Sequence, residues 1–162
     1  MVHLFHPDIL MIHDNRLPPV LNAILVRDNE FTKVNEYGLA VAQDIQCNET
    51  IFENELLKIS NSNLVFMKHI RNDGSYVFLD NITYTVNRGT YREFFYFDSF
   101  TNHSCDPNVK HVYLTDTKYK AVALRDIKCG EQLTNDYSTF DTDNDATPFM
   151  CCCNSPLCKK YV

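Results

Sequence analysis

Cys151, Cys153 and Cys158, spaced Cys-x-Cys-x4-Cys, are the residues whose types and spacing point most directly to chemistry. Thiolates this close together suit a metal ion, and a structural zinc site closes a tetrahedron with four ligands. The fourth would come from Cys47, Cys105, Cys129 or Cys152. Cys152 is the poorest choice, because it lies between two proposed ligands and points elsewhere. The seven cysteines are an odd number, and the N-terminus carries no basic-then-apolar leader, so a secreted disulfide framework is disfavoured. The bland alternative is three free thiols in a frayed tail.

Two polar stretches precede the cysteines. One is Thr101-Asn102-His103-Ser104-Cys105-Asp106-Pro107-Asn108, held between an aromatic-rich segment (Tyr91 to Phe100) and an alternating one (Val109 to Thr115). Polar groups hemmed in by apolar sequence must find partners, since an unpaired buried amide or imidazole costs on the order of 1–3 kcal/mol. An ordinary turn would use the same residue types. The other stretch is Gly130-Glu131-Gln132-Leu133-Thr134-Asn135-Asp136-Tyr137.

Taken in order, Asn-His-Ser-Cys-x-Pro-Asn, Gly-Glu-x-Leu-Thr-x-Asp-Tyr and Cys-x-Cys-x4-Cys closely resemble the SET-domain protein lysine methyltransferases with a post-SET cysteine cluster. The resemblance is strong from Phe95 to Cys158, recognisable from Tyr37 to Glu53 and weak elsewhere. It implies S-adenosyl-L-methionine as methyl donor and one structural zinc ion. Tyr137 would be the catalytic tyrosine, with its hydroxyl beside the reacting methyl and amine. Asn102 and His103 would hold the donor, Tyr37 and Gly38 would border its methionine part, and Phe140 would wall the lysine channel. Cys105 would join Cys151, Cys153 and Cys158 as the fourth zinc ligand. Three positions depart from the family pattern. Glu36 stands at the first expected glycine, Asn48 stands in the following turn, and Asn135 precedes the Asp-Tyr pair where an apolar residue is common. Asn tolerates a left-handed turn, so Asn48 is a mild change.

These residues need a scaffold. At 162 residues the chain suits one domain with a real core. Its 44% hydrophobic and 12% aromatic content reads as folded and globular. The expected fold is mostly β: a SET-type arrangement of small curved sheets with few short helices, and a C-terminal pseudoknot in which the Asn102 segment threads near the Tyr137 motif. Val20 to Arg27 reads as a first strand. Tyr37 to Ala42 and Asp44 to Glu53 read as strand, turn, strand. Asn63 to Met67 and Tyr76 to Leu79 form a strand pair around Asn72-Asp73-Gly74-Ser75. Ile82 to Val86 is β-branched and strand-like. Tyr91 to Phe100 reads as a buried, irregular or short helical segment. Val109 to Thr115 and Lys118 to Leu124 make the cleanest hairpin. The expected organisation is an N-terminal arm (1–19), a SET domain (20–140, with an insert at about 56–90), and a linker with a zinc-binding tail (141–162).

No apolar run approaches the roughly 20 residues needed to cross a bilayer, so the expectation is an intracellular protein of nucleus or cytoplasm. The net charge of −6 argues against direct nucleic-acid binding and is compatible with a lysine-bearing protein or peptide, a histone tail included. The expected activity is methyl transfer from S-adenosyl-L-methionine to the amine of a protein lysine. The alternatives are the same fold acting on a small-molecule or other non-histone acceptor, and a non-catalytic SET binding module.

Overall fold

The computed structural model describes residues 9–29, 34–60, 64–70, 76–79, 85–88, 91–94, 97–139 and 149–162. Among these the strands are β1 (Ile9–Arg16), β2 (Leu21–Asn29), β3 (Val34–Val41), β4 (Thr50–Glu55), β5 (Leu57–Ser60), β6 (Leu64–Ile70) and β7 (Tyr76–Leu79). They continue as β8 (Thr85–Arg88), β9 (Tyr91–Phe94), β10 (Asn102–His103), β11 (Val109–Tyr113), β12 (Lys118–Ala123) and β13 (Thr134–Asn135). Two 3-10 turns, η1 (Phe97–Phe100) and η2 (Tyr137–Thr139), are the helical content among the described residues. The fold is therefore mostly β, made of small sheets: β2-β3, β11-β12-β4, β10-β13, β1-β6-β7 and β5-β9-β8.

The hairpin of β11 and β12 forms in the expected place, with Val109 opposite Ala123 and Tyr113 opposite Tyr119. β4 pairs on the other side of β12, with a register irregularity between Ala121 and Val122. β2 and β3 pair antiparallel with a second irregularity between Leu25 and Arg27. Such interruptions bend a strand and increase its local twist. The turn before β4 holds Asn48 at φ 67°, the left-handed conformation that Asn accepts better than most residues.

Elsewhere the structure refines the expectations. Tyr91 to Phe100 divides into strand β9 and turn η1 rather than one irregular or helical piece. Of the strand expected at Ile82 to Val86, Thr85 and Val86 lie in β8, while residues 82–84 lie outside the described residues. β6 and β7 do pair antiparallel, Met67 opposite Leu79, while Asn72 to Ser75 lie outside the described residues. Within the expected N-terminal arm, β1 is a strand, and it pairs parallel with β6 across some fifty intervening residues. Nothing in the local pattern of residues 9–16 announced that partner.

Leu21, Leu39, Val41, Ile45, Val109, Tyr119, Ile127 and Leu133 are fully buried and lie in one hydrophobic cluster. The segment Gly130 to Leu133 runs along β3, with backbone bonds from Gly130 N–H to Val41, Val41 N–H to Glu131 and Leu133 N–H to Leu39. β3 is thereby clamped between β2 and the segment that leads to Tyr137. This clamp brings the two ends of the candidate site together.

Candidate functional site

The polar stretch at 101–108 and the stretch at 130–137 are laid against each other. Asn102 pairs with Thr134 and His103 with Asn135 in the parallel β10-β13 pair, and Ser104 N–H continues to the Asn135 carbonyl. Asn108, only 1% exposed, acts as a stretch of strand in side-chain form. Its Nδ2 donates to the Gln132 carbonyl at 2.8 Å, and its Oδ1 accepts the Thr134 N–H at 2.8 Å. The side-chain amide thus satisfies a backbone acceptor and a backbone donor two residues apart, and its polar stretch is bonded across elements rather than being a solvated turn. This is the adjacency expected of the pseudoknot.

Tyr137 opens η2. Asp136 caps that turn: its Oδ1 accepts Ser138 N–H at 3.0 Å and Ser138 Oγ–H at 2.8 Å. The Tyr137 hydroxyl donates to the Thr101 carbonyl at 2.8 Å. Tyr37 and Gly38, on β3, stand beside Asn102: the Tyr37 carbonyl accepts Asn102 Nδ2–H at 3.4 Å. A Cβ on Gly38 would meet Asn102 Nδ2, Gln132 Oε1 and Val26 Cγ2, each at 2.9 Å, so any larger residue there would have to displace the Asn102 and Gln132 side-chain ends. Tyr37, Gly38, Asn102, His103 and Tyr137 are accordingly gathered in one place. Phe140 lies outside the described residues, as does the Glu36 side chain.

The His103 ring is held at both nitrogens. Nδ1 accepts the Tyr137 N–H at 3.2 Å, so the proton is carried by Nε2, which lies 3.3 Å from Cys105 Sγ. Burial pushes this imidazole below its ordinary range, which favours the neutral tautomer those contacts require. The ring also packs against Tyr137 at 5.3 Å and Phe149 at 5.6 Å between centroids.

Cys105, Cys151, Cys153 and Cys158 converge, their sulfurs all within 4.8 Å of one another. Cys105 and Cys151 are 3.7 Å apart, and a tetrahedron of Zn–S bonds of about 2.3 Å places its sulfurs roughly 3.8 Å apart. The donor set fits a metal ion. Burial pushes the Cys151 thiol up to about 12, whereas backbone N–H groups of Cys105 and Ser155 hold Cys153 down to about 6. A buried thiol of that kind ionises when a cation compensates it. Of the competing fourth ligands, Cys47, Cys129 and Cys152 are exposed and outside the cluster.

The tail carrying these thiols is fastened back on itself and on the site. Phe149 and Val162 exchange backbone bonds, and Cys151 N–H donates to Lys160. Lys159 N–H points at Cys105 Sγ at 3.3 Å, while its Nζ reaches Asp136 Oδ2 and Ser138 Oγ, each at 3.1 Å.

Two residues had no sequence signal. Thr101 offers Tyr137 a backbone carbonyl, which no side-chain pattern can announce. Gln132 has a buried Oε1 without a hydrogen-bond partner among the described groups, beside Gly38 and Asn102. A buried acceptor without a partner is suited to a ligand bearing N–H.

A model of the SET domain family matches residues 36–138. The chain belongs to the SET domain family. Among relatives it is 39% identical over 66 residues to a Debaryomyces hansenii histone-lysine N-methyltransferase specific for H3 lysine-4, covering 39% of this chain and 6% of that protein. It is 37% identical over 82 residues to the Xenopus tropicalis histone-lysine N-methyltransferase SUV39H2, covering 39% of this chain and 20% of that one. A Plasmodium falciparum variant-silencing SET domain-containing protein shares 42% over 65 residues, covering 38% of this chain and 2% of its own length. The chain therefore spans a small fraction of the length of these relatives. A solved structure of a candidate histone methyltransferase from Plasmodium falciparum overlays 74% of this chain and 95% of that one at 15% identity, with a TM-score of 0.45. That overlay is too loose to bear on the site.

Proposed function

We propose that this protein is an S-adenosyl-L-methionine-dependent methyltransferase acting on the amine of a protein lysine. The observation that carries the reading is the convergence of Tyr137, Asn102, His103, Tyr37 and Gly38, which the sequence scatters over a hundred residues. The donor would supply an electrophilic methyl group on sulfur. Asn102 and His103 would hold it, and Gly38 with the Tyr37 backbone would border its amino-acid end, where Gln132 Oε1 stands ready to accept an N–H.

A free lysine has a pKa of about 10.4, so the acceptor must lose a proton before it can attack. Burial beside aromatic groups disfavours its charged form. The Tyr137 hydroxyl, fixed through the Thr101 carbonyl, then orients the amine, and alignment supplies much of the acceleration. Phe140 would contribute an aromatic wall to the lysine channel. Residues 20–140 would form this catalytic unit, with the insert at about 56–90, the arm at 1–19 and the tail at 141–162 as its surroundings.

One zinc ion would be held by Cys105, Cys151, Cys153 and Cys158, where it would pin the tail and with it Phe149 over His103 and Tyr137. A histone tail is the favoured substrate, because the relatives at 39% and 37% identity are named as histone-lysine N-methyltransferases. That substrate implies action in the nucleus, and a non-histone lysine protein would equally allow the cytoplasm. Among the described residues no helix is long and apolar enough to cross a membrane.

The test is transfer of labelled methyl from S-adenosyl-L-methionine to mixed histones and to whole-cell protein, with Tyr137→Phe as control. Wild-type signal that drops roughly tenfold or more in Tyr137→Phe is expected, the equivalent of about 1.4 kcal/mol of transition-state stabilisation. Undiminished transfer by the variant would remove Tyr137 from the chemistry. No transfer to any protein, with donor binding intact, would move the acceptor to a small molecule or leave a binding module.

A further inference from the structure

Behind the site lies a polar cluster that the reaction as described does not use. Asp98, in η1, is buried, with its side chain 1% exposed. It sits between Phe97 and Phe100, where the local sequence would suit an apolar or small residue. Its Oδ1 accepts Thr101 Oγ1–H at 2.5 Å, and its Oδ2 accepts Tyr119 O–H at 2.9 Å. His111 Nε2 lies 2.9 Å from the same Oδ2, in an imidazole side chain that is 4% exposed. His111 and Tyr119 come from neighbouring strands of the β11-β12 hairpin, offset by two residue pairs, with ring centroids 4.6 Å apart. Burial first, and the carboxylate beside it, keep the Tyr119 phenol protonated and hence a donor.

A buried carboxylate is costly unless every partner is in place. Here the partners join a rigid sheet to a single residue, Thr101. Thr101 is tied to Asp98 twice, by its hydroxyl and by its N–H to the Asp98 carbonyl at 2.9 Å. It is also the residue whose carbonyl accepts the Tyr137 hydroxyl at 2.8 Å. A carbonyl can aim a hydroxyl only as well as its own peptide is held.

We propose that Asp98, clamped by His111 and Tyr119, is a positioning residue for the Tyr137 hydroxyl, acting through Thr101. The sheet fixes the carboxylate, the carboxylate fixes Thr101, and the Thr101 carbonyl fixes the direction of the phenolic O–H. The kinetic part of this inference rests on the catalytic reading of Tyr137; the geometric part does not.

The experiment pairs Asp98→Asn with Thr101→Val, which retains shape while removing the hydroxyl tie, each in wild-type and Tyr137→Phe backgrounds of the full chain. Asp98→Asn is expected to lower kcat roughly tenfold with the donor KM changed less than twofold. In the Tyr137→Phe background the same substitution should cost less than twofold, because the group being aimed is gone. Equal losses in both backgrounds, or an unchanged kcat, would overturn the proposal and leave Asp98 as a structural staple.

A second readout needs no turnover. In chains carrying 13Cζ-tyrosine, the Tyr137 resonance is identified by its absence in Tyr137→Phe. It should shift in both Asp98→Asn and Thr101→Val while the chain stays folded by circular dichroism. An unmoved Tyr137 resonance in Thr101→Val would overturn the proposal whether or not any acceptor is methylated. An inactive wild-type chain with a shifted resonance would instead count against the catalytic reading alone.

Discussion

Gly38 can gain a side chain only if its neighbours shift. The three atoms that a Cβ would meet, all at 2.9 Å, include Asn102 Nδ2 and Gln132 Oε1, so relaxation would push apart the groups proposed to border the donor. Gly38→Ala is expected to lower the affinity for S-adenosyl-L-methionine at least tenfold in calorimetry. It should also cost about 1–3 kcal/mol of stability as overpacking. Retained donor affinity in the variant would place the donor elsewhere. At this scale Asn108 was legible as a polar residue that needed partners, but which partners was not. The residue type demands hydrogen bonds, and only the fold says that they go to Gln132 and Thr134.

Between Arg125 and Gly130 a short turn delivers the chain to the site motif, and Glu131 closes it. Its Oε1 meets Arg125 Nη2 at 2.6 Å, and its Oε2 accepts the Lys128 N–H at 3.2 Å. The Arg125 guanidinium is the main reason that the Glu131 carboxyl titrates below its usual value of 4.5. A carboxyl depressed on folding contributes stability that is present above its unfolded pKa and lost as pH falls through the folded one. The melting temperature of the wild type should therefore exceed that of Glu131→Gln at neutral pH. The gap should close as pH is lowered from about 4.5 downwards. Both side chains are partly exposed, so the gap should be small, within about 1 kcal/mol. A gap that persisted at low pH would assign the effect to packing. The elements themselves were read unevenly. Adjacent strands joined by a tight turn, β11 and β12, were visible because register follows from local alternation and turn chemistry. The division of Tyr91 to Phe100 into β9 and η1 was not, since an aromatic-rich stretch suits either state.

For the whole molecule, the cysteine cluster ties the tail to the centre. Cys105 comes from the stretch that carries Asn102 and His103, while the other three thiols lie in the tail, which brings Phe149 against His103 and Tyr137. Treatment with a strong chelator should release the proposed zinc, one ion per chain, and expose four additional titratable thiols. It should also lower the melting temperature by several degrees and weaken donor binding in parallel. Cobalt reconstitution should display thiolate-to-metal charge transfer, and Cys151→Ser should reduce it. A chelated chain that melts unchanged would show that Lys159, bonded to Asp136 and Ser138, and the Phe149–Val162 pairing hold the tail unaided.

The sequence by itself determined the residue types of the candidate site, their order and the β character of the chain. Motif spacing, turn residues and alternation are local properties; they singled out Cys151, Cys153 and Cys158, left the fourth thiol open among four candidates until the family resemblance pointed to Cys105, and only the fold brings Cys105 to the other three. Only the tertiary structure decided what is long-range: that β1 pairs with β6, that Gln132 faces Gly38, and that Asp98 meets His111 and Tyr119 behind Thr101. A residue's pattern fixes which face it presents. Its partner depends on which distant strands share a core, and that is settled by the packing of the whole chain.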